Sequence, residues 1–340
     1  MNYKVTIAMP VYNSGKYIER ALLSALNQTF SEIEYLIIDD KGSDDSIEKV
    51  KNLLNMHPRG KDVRIWDHLI NRGTGATRNT AIKEALGKYL YFMDSDDEIT
   101  PDCIQILYDK MQESQVDFVA GSYDHIDIEG NKLDSGAQYT DHVFKAKEGE
   151  NLSDLIYRKE MNNLPVMTWN KLYDINFLRN AQIHCLPRHI HEDVLFSYQI
   201  KLKASSCRLI SNITYHYYVI PNSTTDYKNR SDEKARDVAR QYYEILDFKK
   251  NILANYKNKD WYLHENSSLA FEAYYYICRI IQSPIKEKKK FIKPMLKFTI
   301  KFNEAKKINR LNLYILWIVS KLPYFLQNIF ITIYNKKYYS

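Results

Sequence analysis

The first 120 residues alternate short apolar runs with stretches in which apolar residues return every three or four positions. Val5–Met9 is an apolar, β-rich run that Pro10 stops, and from Tyr17 onward Ile18, Leu22, Ala25 and Leu26 recur at helical spacing. Glu34–Ile38 predicts a second strand ending in Asp39-Asp40, and Ser46–Leu54 a second helix. Val63–Trp66 predicts a third strand, and Ala76–Leu86 a helix stopped by Gly87. Tyr89–Met93 predicts a fourth strand ending at Asp94. Pro101 opens a helix, a position that suits its fixed φ, and Val116–Ala120 predicts a fifth strand. Strands separated by helices in this way predict an α/β fold with a mostly parallel sheet covered on both faces. In such sheets ligands bind beyond the carboxyl ends of the strands. Asn13, Asp39-Asp40 and Asp94 to Asp97 all fall at such ends.

After about residue 125 the pattern weakens. Residues 130–139 read as loop, 151–158 and 193–204 as helices, and 208–219 as a strand with alternating Leu209, Ser211 and Ile213. Residues 231–282 form a long, helical, tyrosine-rich stretch, and the end of the chain alternates basic and apolar residues.

Composition adds little to this picture except at the end. The 340 residues are 45% hydrophobic and 26% charged, which suits a folded globular chain. The net charge of +6 is local: residues 284–310 hold ten Lys/Arg against two Glu. That points to an anionic surface touched by this segment rather than to nucleic acid bound along the chain. The four cysteines, Cys103, Cys185, Cys207 and Cys278, lie far apart without metal-site spacing, so buried reduced thiols and a cytoplasmic setting are expected. The first apolar run is too short for a signal peptide, and no uninterrupted apolar stretch is long enough to span a bilayer.

The polar clusters carry the candidate chemistry. Asp94-Ser95-Asp96-Asp97 places three carboxylates in four residues at a strand end, where they repel one another unless a cation intervenes. Mg2+ and Mn2+ take oxygen ligands of this kind together with substrate phosphates. Read alone, the cluster is more often a solvated acidic loop. It lacks the glycine and glutamate of an EF-hand. Asp39-Asp40 suits hydrogen bonds from a base or ribose, or a turn before a helix capped at Ser43 or Asp45. Asn71-Arg72-Gly73-Thr74-Gly75-Ala76-Thr77-Arg78-Asn79 is a glycine-containing loop entering a helix, able to bring amides and Arg78 toward phosphates or to make an ordinary turn. His191-Glu192-Asp193 opens a helix, where the dipole favours an ionised carboxylate, either as a general base or as a plain cap.

Together these segments resemble the inverting family-2 glycosyltransferases with the GT-A fold. The matching residues, in order, are Pro10-Val11-Tyr12-Asn13, Ile38-Asp39-Asp40 with Gly42-Ser43-Asp45, Asn71-x-Gly73 with Arg78-Asn79, Met93-Asp94-Ser95-Asp96-Asp97, Trp169-Asn170-Lys171-Leu172-Tyr173 and Glu192-Asp193-x-x-Phe196. The resemblance covers about residues 3–225 and implies a GT-A catalytic domain over 1–225, with a donor half of about 1–120 and an acceptor half of about 121–225. A helical region over 226–340 follows. It implies that Pro10, Tyr12, Asn13, Asp39, Asp40, Asn71, Gly73, Arg78, Asp94 and Ser95 surround a nucleotide-sugar donor, a UDP-sugar by preference. Asp96 and Asp94 would hold Mn2+ or Mg2+, and Asp97 would contribute nearby. Trp169, Asn170 and Glu192 would shape the acceptor side, and Asp193 would be the catalytic base. The segment from Tyr217-Tyr218 to Ser223-Thr224 would close over the diphosphate. Lys41 and His191 depart from the family pattern, His191 standing where glycine is frequent.

The implied reaction moves a sugar to a saccharide or lipid-linked saccharide in cell-surface polysaccharide or capsule synthesis. Lys286–Arg310, with Phe291, Ile292, Leu296, Phe298 and Phe302, and the apolar stretch Leu311–Tyr334 broken at Lys321-Leu322-Pro323, suit a membrane interface. The expected location is therefore peripheral, at the inner face of the cell membrane, although the same helices could pack on the catalytic domain. A nucleotidyltransferase shares the metal–nucleotide logic, but its glycine- and lysine-rich N-terminal loop is represented only by Tyr12-Asn13-Ser14-Gly15-Lys16. A non-catalytic nucleotide-sugar or membrane-surface module would have no need of the Glu192-Asp193 pair.

Overall fold

The computed structural model describes residues 3–220, 231–298, 301–308 and 311–322. The chain forms two compact units, residues 1–221 and 222–340.

The first unit opens with β1 (Val5–Val11), α1 (Ile18–Leu26), β2 (Ile33–Asp39), α2 (Ser46–Met56), β3 (Val63–Asp67), α3 (Thr74–Glu84) and β4 (Tyr89–Phe92). It continues through β5 (Glu98–Ile99), α4 (Cys103–Ser114), β6 (Phe118–Ile126), β7 (Lys132–Ala137), β8 (His142–Lys145) and α5 (Leu152–Tyr157). It ends with β9 (Lys171–Asp174), α6 (Ile175–Asn180), α7 (Glu192–Lys203) and β10 (Ser206–Tyr218). All ten strands join one sheet in the order β3-β2-β1-β4-β9-β6-β10-β5, with β7 paired to β6 and β8 to β10. β1 to β4, β6 and β10 point one way, and β5, β7, β8 and β9 run against them. The sheet is thus mixed but mostly parallel.

Burial on both faces explains the near-continuous apolar strands. Val5, Ile7, Met9 and Val11 of β1 pack on one face with Ile18, Leu22 and Ala25 of α1 and Ile104 and Leu107 of α4. Ala8 of β1, with Leu36, Ile38, Leu90 and Phe92, faces the opposite layer, against Ala81 and Ile82 of α3 and Phe196 and Ile200 of α7. A charged residue survives inside β2 because it is fully bonded. Glu34 takes Arg64 at 2.7 Å, the Thr6 hydroxyl at 2.6 Å and the Leu86 N–H at 2.8 Å.

β1 turns to β2 on one side and to β4 on the other, so the direction of winding reverses at β1/β4. The carboxyl ends of these two strands form the crevice where ligands bind in such sheets.

Several local expectations change. β1 runs past Pro10 to Val11, with Pro10 in register opposite Ile38, since a proline costs a strand only the one bond it cannot donate. Residues 132–137, read as loop, form β7 because they pair antiparallel with β6. α3 starts at Thr74 and ends at Glu84, before Gly87, and Arg179 of α6 donates to the carbonyls of Ile82, Lys83 and Ala85 at that end. β5, β8 and β9 are short, and each is stabilised by pairing across the sheet rather than by a local pattern.

The second unit contains α8 (Asp232–Leu253), α9 (Tyr262–Gln282), α10 (Lys288–Met295), α11 (Phe302–Ile308) and α12 (Leu311–Lys321). α8 and α9 pack through a stacked Tyr242–Tyr276 pair, with ring centroids 4.1 Å apart, and a Lys249–Glu272 ion pair at 2.8 Å. The tyrosine-rich sequence is therefore core here. Among the described residues, no helix is long and apolar enough to cross a membrane. All four cysteines are buried and free.

Candidate functional site

The turn after β1 is built by hydrogen bonds that bring three strand ends together. Asn13 adopts a left-handed φ of 49°, which asparagine tolerates. Its Oδ1 accepts the Ser43 N–H at 2.7 Å. A Cβ on Gly42 would stand 2.8 Å from the Asn13 N atom, so the glycine is required by this close approach. Asp44 accepts the Gly15 N–H at 2.7 Å, and the Ser14 N–H donates to the Ser46 hydroxyl at 2.8 Å. Across the crevice the hydroxyls of Ser14 and Ser95 lie 2.6 Å apart, joining the β1 and β4 ends. Pro10 is half-buried and Tyr12 is 52% exposed, leaving its ring open to a ligand.

The two neighbouring aspartates after β2 do different things. Asp40 is buried and accepts four donors: His68 Nδ1 at 2.7 Å, Asn71 Nδ2 at 3.1 Å, and the N–H groups of Arg72 at 2.9 Å and Gly73 at 2.7 Å. It therefore shapes the glycine loop, and Asn71 and Gly73 belong to that loop's internal bonding. Asp39 accepts the Lys41 N–H at 2.8 Å and the Lys41 ammonium at 3.2 Å. Lys41, a position without an expected role, is thus the counter-ion of Asp39. The signal in the sequence was its place two residues on, whereas its left-handed φ of 56° shows only in the structure.

Beyond β4, Asp94 pairs with Arg78 Nη2 at 3.1 Å. Asp96 is half-buried, and no other described residue donates a hydrogen bond to its carboxylate. Burial, followed by the charge of Asp94, pushes its pKa up to about 6. Asp97 is different. It is 1% exposed, and it accepts the Tyr215 hydroxyl at 2.7 Å and the Tyr218 N–H at 2.8 Å. It fastens β10 to the β4 loop and has no face left for a ligand. Burial, then the charges of Asp96 and Asp94, hold its pKa well above the usual carboxylate range.

Arg78 of α3 is buried and reaches in two directions. Its Nη1 donates to Glu192 at the start of α7 and its Nη2 to Asp94. Its Nε is buried without a partner. Burial opposes its charge, but Glu192 and Asp94 prevail and raise its pKa. Asp193, next along α7, accepts the Val194 N–H at 2.9 Å. Burial pushes its pKa upward, against the pull of Arg78. Its helix-terminal place alone would give the opposite direction, because the dipole favours the ionised form. Glu192 is raised by burial in the same way.

The tryptophan-asparagine-lysine segment sits inside the sheet. Trp169 is buried and stacks on Tyr215, with centroids 4.4 Å apart. The Asn170 amide donates to the carbonyls of Gly121 at 2.7 Å and Ser122 at 3.0 Å, and its oxygen accepts the Thr214 hydroxyl at 2.7 Å. Asn170 thus spends its bonding capacity joining β6, β9 and β10. Lys171 is buried, and its ammonium donates to the carbonyls of Pro165, at 3.0 Å, and Met167. Burial lowers its pKa to about 7, despite Asp193 nearby. Tyr217 and Tyr218 end β10, whereas the remainder of the segment, from residue 221 to Ser223-Thr224, lies outside the described residues.

Residues 6–171 match the family model described as "Glycosyl transferase family 2". That match spans just under half of the chain. Glu192 and Asp193 lie beyond the matched segment, so the match does not reach them. The chain is 32% identical over 222 residues to a poly(ribitol-phosphate) beta-glucosyltransferase of Bacillus spizizenii, covering 64% of this chain and 32% of that protein. It is 29% identical over 221 residues to the putative glycosyltransferase EpsH of Bacillus subtilis, covering 63% of this chain and 60% of that one. The chain spans half or less of the length of several such relatives. Its fold is similar to the crystal structure of S. aureus TarS 1-349 in complex with UDP-GlcNAc. That match has 20% identity and a TM-score of 0.56, and covers 93% of this chain and 79% of that one.

The buried lysine gives a pH test of this packing. A folded pKa of about 7 against the ordinary lysine value of 10.5 means that the unfolded chain holds a proton that the folded chain lacks across that window. Stability linked to Lys171 therefore rises with pH, by at most about 1.4 kcal/mol per pH unit. Urea midpoints of wild type and Lys171→Met between neutral and alkaline pH should show the wild type gaining on the variant as pH rises. A difference independent of pH would contradict the burial argument.

Proposed function

We propose that this protein is an inverting family-2 glycosyltransferase that moves a sugar from a UDP-sugar to a hydroxyl of a saccharide or lipid-linked saccharide in cell-surface polysaccharide synthesis. One observation carries the reading: Arg78 ties Asp94, on the donor-side edge, to Glu192, the neighbour of Asp193. A carboxylate suited to proton removal is thereby linked to carboxylates suited to a metal-bound diphosphate. The likeness to a poly(ribitol-phosphate) beta-glucosyltransferase and to a structure holding UDP-GlcNAc supports a UDP-sugar donor and a cell-surface polymer acceptor.

In this reading Tyr12 and Pro10 flank the nucleotide base, and Asp39 accepts its hydrogen bonds once the Lys41 ammonium moves aside. Asp193 takes the proton of the acceptor hydroxyl as that oxygen attacks the anomeric carbon. A single displacement with a single base inverts that centre. The raised pKa of Asp193 suits the role, since a base is most effective when its pKa lies near working pH. Asp193→Asn is expected to lower kcat by about a thousandfold while UDP still binds, as read by calorimetry. Turnover close to wild type would remove Asp193 from this role.

Asp94 and Asp96 fit a divalent cation. The Asp96 carboxylate is half-buried, has no hydrogen-bond donor among the other described residues, and is close enough to Asp94 to be raised by its charge. Among the described residues, no three His, Cys, Asp or Glu side chains are grouped to hold a metal on their own. That suits Mn2+ or Mg2+, which take one or two carboxylates and complete their shell with phosphates and water. When bound, the ion would neutralise charge on the leaving diphosphate. Exhaustive chelation should abolish transfer, and added Mn2+ or Mg2+ should restore it. Full activity in the chelated protein would exclude the metal.

For the second unit the proposed partner is an anionic membrane surface. Ile292, Met295 and Phe298 are buried, so the apolar side of this segment is not offered to lipid, although Phe302 remains exposed. Lys286, Lys289, Lys290, Lys293, Lys297 and Lys301 are exposed. Contact would accordingly be electrostatic. The stretch from Pro323 to Tyr334, also expected at an interface, lies outside the described residues. Vesicles containing phosphatidylglycerol should retain the protein at low salt and release it as salt rises. Charge reversal at Lys289, Lys290 and Lys293 should weaken this binding, and unchanged, salt-insensitive retention would count against it.

A further inference from the structure

We propose that Asn79 is a positioning residue for Asp193, holding the arm of residues 185–192 against α3 and so fixing where the base carboxylate stands. The proposal rests on the reading of Asp193 as the base. Asn79 Oδ1 accepts the Cys185 N–H at 2.8 Å, and its Nδ2 donates to the Cys185 carbonyl at 2.9 Å. The carboxamide therefore satisfies both backbone groups of one residue, as a neighbouring strand would. Arg78, one position earlier, donates to Glu192. Two consecutive residues of one helix thus hold the two ends of the same arm.

Between those ends the arm has no helix or strand of its own, and Arg188 within it takes a left-handed φ of 59°. Other contacts press it onto the start of α3. A Cβ at Gly75 would run into the Leu186 carbonyl, and one at Gly73 would stand 3.1 Å from Arg188 Cα. Gln199 of α7 adds a bond to the His184 carbonyl at 2.7 Å. The glycines of this loop are accounted for by close packing on the arm, a role separate from cradling phosphate.

Asn79 bonds to backbone on the base side, and among the described residues its carboxamide makes no hydrogen bond to Asp39, Asp94 or Asp96. Its loss should therefore act on turnover and spare donor binding. A displacement of the base by about 1 Å can cost on the order of a hundredfold in rate.

The test uses the full chain and whichever of UDP-glucose, UDP-galactose or UDP-N-acetylglucosamine the wild type turns over, with UDP binding and melting temperature measured in parallel. Asn79→Ala should lower kcat by about 10- to 100-fold, leaving donor KM and UDP affinity within about twofold. Asn79→Asp keeps the acceptor for the Cys185 N–H and loses the donor, and should recover part of that loss. Gly75→Ala, which pushes on the arm from the other contact, should give the same split between kcat and KM. The proposal is overturned if Asn79→Ala and Gly75→Ala both keep kcat within about twofold of wild type. It is also overturned if their loss of rate is matched by equal loss of UDP affinity. Asp193→Asn separates the two readings: an active Asp193→Asn overturns the base itself, whereas an inactive one beside a normal Asn79→Ala overturns only the positioning role.

Discussion

A buried guanidinium is the constraint around which the rest of the catalytic unit is arranged. Taking a charge out of water costs several kcal/mol unless partners are placed to meet it. Arg78 meets that cost with Asp94 from the end of β4 and Glu192 from the start of α7. Neither carboxylate would be comfortable without it, since both stand beside further acids, Asp96 and Asp193. Lysine could not replace it, because a single ammonium cannot present separate N–H groups to two acceptors on different elements in a fixed plane. The placement of α3, the β4 loop and α7 is thus settled by one side chain as much as by apolar packing.

That arrangement sorts the acidic residues by what surrounds them. Asp40, Asp44 and Asp97 are bonded to backbone N–H groups or hydroxyls and act as fasteners for loops. Asp96 and Asp193 are poorly matched, and both are shifted upward by burial. An unmatched carboxylate in a crevice is where chemistry is to be sought, and a fully bonded one is where the fold keeps its shape. Lys41 and Lys171 show the same contrast among the cations, the first exposed on Asp39 and the second buried on two carbonyls.

Much of the parallel sheet was legible in the sequence, because strands buried on both faces leave long apolar runs and their helices a clear period. The residues at the strand ends were legible for the same reason. What stayed hidden depends on contacts distant in sequence. β5, β8 and β9 are too short for a pattern and are held by pairing partners. Trp169 and Asn170 were expected to face an acceptor, yet an aromatic and an amide read identically whether they serve a ligand or close three strands together. Asp40 and Asp97 could not be told from Asp39 and Asp96 until their donors were known. The upward shift of Asp193 was also hidden, since a helix-terminal position is visible in sequence and burial is not.

The meeting of Gly75 with Leu186 has a consequence for how such a sequence can vary. It is a contact of backbone with backbone, so no exchange of side chains can repack it. Neither partner can drift alone: a methyl group gained at one must be answered by a shift of the main chain at the other. The intervening stretch holds a close approach of the same kind at Gly87 against the backbone of Val5 and Thr6, and another at Gly136 against Tyr123. Evolution or an engineer can change side chains around such contacts, while the spacing of the two backbones is inherited unchanged.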